Sequence, residues 1–501
     1  MSVPEVSLPA TPDDPELGPA GRPADPELTA RQLAAAVGAG LVAAAVLVDH
    51  DPGLGLGLTW LTVAAAVLAT RPRATWAGAW RHVMLALAAL AAGLPVVSDA
   101  GWYVAPALLV AVAAAVVGLS GGGSWLGLVR PSLRVVPVGL TTTATVLTAP
   151  GQAFSTDARR HPVVRATLLT VVLLAGFGAL FASADRVFGA LVERYLLPDL
   201  DLGVLPVRLG VLVVVAAGAA TLVRLRHRAH DDRPLPSPAR RLHGVEWMLP
   251  LGALVTLFAA FVALQFGVLF GGHERVLATA GLTYAEYARG GFGQLVVVAA
   301  LTLAVLAAAG RYAAASVGRE ARLRQVLLAA LCLLTLVVLV SAHHRLALYE
   351  DAFGSTRLRF AARFAIWWLA GVFALVLAAG AAGRARRLPR TVALTTAVAV
   401  VGIGYLQPDA LIARWNVDRY LEEGRLDLDH LGSLSADAVP EMLRLPDDVR
   451  DCAVQRLAWR LDGVDRTWQA WNLARDRAWP HLGIAAAASP ECPASELHRH
   501  R

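Results

Sequence analysis

Four polar stretches between long apolar runs concentrate the side chains able to do acid–base work, hold an anion or pair with one another. HHRLALYEDAFGSTRLRF (343–360) supplies His343, His344, Arg345, Tyr349, Glu350, Asp351, Arg357 and Arg359, with Arg363 just beyond. SADRVFGALVERYLLPDLDL supplies Asp185 and Arg186, and GGHERVLATAGLTYAEYARGGFG supplies His273, Glu274, Tyr284, Glu286, Tyr287 and Arg289. QPDALIARWNVDRY supplies Asp409, Arg414, Asn416, Asp418 and Arg419. Carboxylates in such company act as general bases or metal ligands, and arginines hold phosphate. The same alternation also makes a self-paired polar cap, which satisfies helix ends and anchors tyrosines at a membrane interface. The cap is the simpler reading.

Recognised catalytic signatures are missing. Gly118-Leu-Ser120-Gly-Gly122 has the letters of a nucleophile elbow. That elbow needs a strand before it, whereas an apolar helical run precedes this one, so a helix stop is expected. Gly53, Gly55 and Gly57 lack the spacing and βαβ setting of a dinucleotide fingerprint. The chain has no HExxH and no CxxC. It also has no lysine, which removes P-loop and Schiff-base chemistry. The expectation is no catalytic residue, no cofactor and no metal site, leaning toward a protein that is not an enzyme.

The elements that must position these residues are membrane helices. Of the 501 residues 56% are hydrophobic and 17% charged, against about a quarter charged in a soluble chain. Mean hydropathy is +0.55. Apolar runs such as VLLAALCLLTLVVLVSA recur at the length a bilayer crossing needs. Spans are predicted at 32–48, 53–70, 83–98, 102–119, 166–183, 206–223, 246–270, 292–310, 326–342, 360–382 and 391–406, about eleven in all. The fold class is all-α, a polytopic transmembrane bundle over 32–406 with a small C-terminal helical domain over 407–480. Residues 1–31, acidic and Pro-rich, read as a disordered arm, and 481–501 as a flexible tail. Residues 121–160, whose stretch GLVRPSLRVVPVGLTTTATVLTA carries Pro, Thr and two arginines, read as interfacial or re-entrant.

Within the domain Ser435 looks like an N-cap, and Gly424 and Gly463 like helix stops. Net charge is +7, but its arginines sit in short loops between spans. That pattern sets orientation and excludes nucleic acid as a partner. It puts the N-terminus in the cytoplasm, the C-terminus outside and all four polar stretches on the outer face of a plasma membrane. Cys452 and Cys492 can pair only in an oxidising compartment; Cys332 lies in an apolar run.

The blocks SADRVF, GLTYAEYARGGF, HHRLALYEDAFGSTRLR and QPDALIARWNVDRYLEEGRLDLDHLGSLSADAVP carry a family likeness. Over about residues 160–450 the chain resembles a bacterial integral-membrane family, common in actinobacteria, catalogued as "domain of unknown function" 4153/4173. The resemblance implies a multi-pass bundle with a helical C-terminal segment and no assigned activity, so it transfers no catalytic residue. The first four spans are too low in complexity to carry it.

Three functions remain open. The leading one is a non-enzymatic membrane protein whose outer cap binds or senses an envelope component or a protein partner, with the lipid bilayer around it. The second is an outer-face transferase on lipid-linked substrates, for which Asp49, His50 and Asp51 join Asp185 and Glu286 as candidates. The third, a transporter or channel, is disfavoured by the scarcity of charge inside the spans, where Gln265 and Arg363 are about all that falls within the apolar layer. A flat outer face with every carboxylate matched to an arginine would count against the transferase.

Overall fold

A computed structural model describes residues 28–69, 78–153, 204–227, 241–270, 292–313, 318–488 and 496–498. The span expected at 166–183 and the stretches carrying Asp185, Arg186, His273, Glu274, Tyr284, Glu286, Tyr287 and Arg289 lie outside the described residues, as do Cys492 and residues 1–27 of the arm expected to be disordered over 1–31, whose last two residues, Ala30 and Arg31, open α1. Two compact units emerge, one of residues 1–42, 62–77 and 135–230, the other of residues 43–61, 78–134 and 231–501.

The helices in chain order are α1 (Ala30–Leu47), α2 (Leu54–Leu68), α3 (Ala79–Val97), α4 (Gly101–Ser120), α5 (Trp125–Ala153), α6 (Leu205–His227), α7 (Val245–Phe270), α8 (Phe292–Tyr312), α9 (Arg319–Phe353), α10 (Arg357–Ala381) and α11 (Leu388–Tyr405). Among the described residues nine of these are long and apolar enough to cross a membrane, all but α2 and α5. The chain is therefore an all-α polytopic membrane protein. The 121–160 zone is one helix from Trp125 to Ala153 that runs unbroken through Pro131 and Pro137.

Within the second unit α3 and α4 form a hairpin packed on α11, while α9 packs on α7, α8 and α10. Met84, Leu87, Ala91, Ala111, Val117 and Val401 fill the first seam. Phe258, Leu295, Leu331, Leu339, Ile366 and Phe373 fill the second. Cys332 is buried there as a free thiol. The polar groups of this interior pair locally: Thr335 Oγ1 donates back to Leu331 O, and Ser341 Oγ donates to Gln265 Oε1.

Two helix ends bear on the sequence reading. The glycine run after α4 is a stop: Gly121 takes φ 73°, and the buried Arg81 side chain donates to Gly118 O and Leu119 O, orphan carbonyls of the last turn. By contrast, α9 does not end at His343. From Arg319 to Phe353 the chain has neither Gly nor Pro, and the helix continues for 35 residues. Gly354, at φ 78°, stops it by donating to Glu350 O. His343 and His344 thus lie inside the helix, not at its terminus, and most of the stretch expected as a loop is two helices joined at Gly354–Thr356.

Beyond α11 the chain turns through Gln407, held at φ 55°, whose Nε2 donates to Val97 O at the end of α3. Then come α12 (Pro408–Glu423), β1 (Arg425–Asp427), α13 (Leu428–Gly432), a 3-10 turn at Ala436–Ala438, α14 (Val439–Met442), α15 (Asp447–Leu461), α16 (Leu473–Ala488) and β2 (Glu496–His498). Gly424, left-handed at φ 73°, ends α12, and β1 pairs antiparallel with β2. The core of this segment is Ile412, Val417, Leu428, Leu431, Leu434, Val439, Met442, Val449 and Leu457, with Phe360 of α10 packed into it. Burying each such side chain contributes about 1.5–3 kcal/mol.

The segment lies against the turn between α1 and α2. Leu54 N donates to Trp471 O at 2.8 Å and Gly55 N to Gln469 O at 2.7 Å, so a loop carbonyl pair caps the first turn of α2. This explains the glycines: a Cβ on Gly53 would stand 2.5 Å from Trp471 O, and one on Gly55 2.5 Å from Val46 O. Gly53→Ala is expected to cost roughly 1–3 kcal/mol by overpacking. Hydrogen exchange should speed up at the amides of Leu54 and Gly55 while exchange within α9 stays unchanged.

Candidate functional site

Four helix turns of the second unit converge on the C-terminal segment, and a buried polar network joins them. Its centre is Asp409, in the first turn of α12 and fully buried. Trp102 Nε1 donates to Oδ1 at 2.8 Å and Ser435 N to Oδ2 at 2.8 Å. Arg357 forks onto both oxygens, Nε at 3.1 Å and Nη2 at 2.6 Å, and Nη2 also reaches Ser433 O. Burial pushes the Asp409 pKa up, but the Arg357 bonds and charge, the Ser435 amide and the Trp102 indole outweigh it and hold the carboxyl below its ordinary value.

Beside it the turn between α3 and α4 meets the 3-10 turn. Asp437 Oδ2 accepts from Ser98 Oγ at 2.9 Å, Asp99 N at 3.0 Å and Ser435 Oγ at 2.8 Å. Its Oδ1 is buried without a hydrogen-bond partner. Burial raises the Asp437 pKa to about 7; the two hydroxyls oppose this, and Asp99 and Asp409 add to it. Asp99 accepts from Arg475 Nη1 at 3.2 Å and from Ala436 N at 3.2 Å, yet burial still leaves its pKa raised. Asn472 caps α16 by accepting from Ala474 N and Arg475 N, and its amide donates to Pro95 O and Ser98 O. Arg475 Nη2 donates to Pro52 O and Ala470 O. At the neighbouring turn His50 Nδ1 lies 2.7 Å from Asp465 Oδ2, and Asp465 N donates to Asp51 Oδ2.

The remaining candidates divide between this network and the surface. Glu350 is buried, paired with Arg363 and accepting from Ser355 Oγ. Asn416 brackets Ser355, accepting from its N–H and donating to its carbonyl, which locks the turn between α9 and α10 to α12. Arg419 Nη2 donates to Ala352 O. Arg359 lies over the Tyr349 ring at 4.1 Å, and Arg363 over Trp415 at 4.7 Å. Asp418 pairs with Arg444 at 2.6 Å and loosely with Arg414 at 3.9 Å, both on the surface. His343 stacks edge-on against Trp367. His344 and Asp351 are exposed and Arg345 half-buried. The structure therefore brings Glu350, Arg357, Arg359, Arg363, Asp409, Asn416 and Arg419 together, and leaves His343, His344, Arg345, Asp351 and Arg414 outside.

Sequence reading missed Ser98, Asp99, Trp102, Asp437, Asn472 and Arg475. The signal available was an acid at each of two otherwise uncharged places, VVSDAGW and SLSADAVP. Ser435 stands at the head of the 3-10 turn, but its hydroxyl serves Asp437 instead of capping a backbone N–H. Chemically, this network is a latch. Among the described residues no group of three or more His, Cys, Asp or Glu is placed to hold a metal ion. Cys452, in α15, is disulfide-bonded.

No curated protein and no solved structure matches the chain. A family model described as "Domain of unknown function (DUF4153)" matches residues 84–445. That match begins in α3, so it includes two of the first four spans, expected to be too low in complexity to carry a likeness, and corrects that expectation. The turn they share carries Ser98, Asp99 and Trp102, which the latch requires. It ends just past Asp437, so it takes in Asp409, Asp437 and the helices from α3 to α14 but not α1, α2, Asn472 or Arg475; covering more than half of the chain, it shows that the chain belongs to the family described as domain of unknown function DUF4153.

Proposed function

We propose that this chain is a non-enzymatic plasma-membrane protein whose latched C-terminal segment forms an extracytoplasmic cap that binds or senses an envelope component or a partner protein. The observation that carries the reading is that the latch uses its own carboxylates. Asp409, Glu350 and Asp99 each meet an arginine, and Asp51 and Asp465 serve the α1–α2 turn. None is left facing solvent as a free base, so recognition falls to the exposed surface of the docked segment. The orientation is supported by Arg384, Arg386 and Arg387 between α10 and α11, opposite the latch, and by the disulfide at Cys452, a bond that persists in oxidising compartments.

The test is complementation of a deletion strain with Asp51→Asn and Asp351→Asn, together with reporter fusions after residues 240 and 407. Both variants are expected to accumulate normally and to keep at least about half of the parent's function, since amides preserve the hydrogen-bond acceptors. Loss of function at normal protein level would restore the transferase reading. A cytoplasmic reporter signal at 407 would overturn the orientation.

A further inference from the structure

The segment that caps α2 also carries two exposed indoles, Trp468 and Trp471. α2 has 15 residues, which is about 22 Å of helix against the roughly 30 Å of a hydrocarbon layer. With 20 residues α4 reaches about 30 Å. Of the described helices α1 to α11, α2 is the shortest and falls short of the layer. The loop from Val464 to Asn472 is bonded directly to it through Trp471 O and Gln469 O.

That loop is charged at one end only. Asp465 is held by His50 and Thr467, and Arg466 lies over the Trp479 ring at 4.3 Å. From Thr467 to Trp471 the sequence TWQAW has no charge. Trp468 is 55% and Trp471 39% exposed. On the helix below, Leu54 and Leu61 are exposed too, at 38% and 68%, so the apolar surface continues from the span onto the loop. Indole, apolar in body with one N–H donor, is the side chain that partitions to the headgroup boundary of a bilayer.

We propose that the Val464–Asn472 loop contacts the bilayer, with Trp468 and Trp471 set into the lipid interface of the leaflet on the latch side. They supply the apolar height that α2 lacks. The occupant is lipid, and the cap is thereby fastened to the membrane as well as to the bundle. The proposal does not depend on which face is external.

The full chain in lipid nanodiscs, in a Cys332→Ala background with the disulfide intact, would carry a nitrobenzoxadiazole label at Trp468→Cys or Trp471→Cys. Nitroxide-headgroup lipid is expected to quench either label by more than half, and aqueous iodide by less than about a fifth. A label at Val340→Cys, exposed on α9, reports that the lipid quencher works. Quenching by iodide but not by lipid would overturn the proposal, as would a label reached by neither quencher. If Trp471→Cys fails to accumulate, Trp468→Cys decides alone, because Trp468 makes neither of the backbone bonds to α2.

Discussion

Arg357→Ala is expected to loosen the C-terminal segment by about 3 kcal/mol, which should appear as roughly hundredfold faster amide exchange over residues 98–101, 354–357 and 433–437. The argument rests on what remains. Asp409 is fully buried and keeps only the Trp102 indole and the Ser435 amide, neither of which carries charge. Breaking a buried ion pair from one side costs about 3–5 kcal/mol, because the surviving charge is stranded. The lower figure applies because the Arg357 side chain is 35% exposed, so water already screens part of the pair. Neutralising the stranded charge should recover much of the loss. Arg357→Met with Asp409→Asn retains an acceptor for Trp102 and is expected to lie within about 1–2 kcal/mol of the parent. An Arg357→Ala protein with parental exchange in those three segments would show that the pair does not hold the latch.

How legible this was in the sequence depended on the range of the interaction. Spans were readable because an apolar run of fixed length is a local property, and the nine long apolar helices fall on nine of the predicted positions. The end of α9 was misjudged because hydropathy falls at His343 while helix propensity does not; only Gly354 breaks the backbone. Dense charge marked Glu350, Arg357, Asp409 and Asn416, which do meet. It also marked His344, Asp351 and Arg414, which are exposed, because polar side chains are equally stable in water. Asp437 escaped notice for the opposite reason. Its partners Ser98 and Asp99 are more than 300 residues away, and nothing near Asp437 announces them. A lone acid in an uncharged stretch is costly to bury, and that cost was the available clue.

Lowering the pH from 8 to 5 is expected to tighten the latch, and Asp437→Asn to abolish most of that response. In the unfolded chain Asp437 titrates near its ordinary value of 3.8; in the folded protein it titrates at about 7. Between those limits the folded state binds a proton that the unfolded state does not. Stability therefore rises as pH falls from about 7 toward 4 and is lost as pH climbs back. Asp99, also raised by burial, works in the same direction. Asp409 works oppositely: held below its ordinary value, it contributes stability that is lost once acid protonates it below about pH 4. His430, beside Arg357 and Asp409 and with its pKa lowered by burial, works against this gain below its ordinary value of 6.5. The net gain at pH 5 over pH 8 is therefore expected to be on the order of 1–3 kcal/mol. Asparagine keeps an acceptor for Ser98, Ser435 and the Asp99 amide but carries no charge at any pH. The variant should be more stable than the parent at pH 8 and much less pH-dependent down to pH 5, with Asp99 and His430 supplying what response remains, as read by thermal unfolding in nanodiscs. An Asp437→Asn slope equal to the parent's would move the pH response elsewhere. Should the predicted difference appear, the latch would gain strength as its surroundings acidify, with the control lying chiefly in the Asp437 carboxyl.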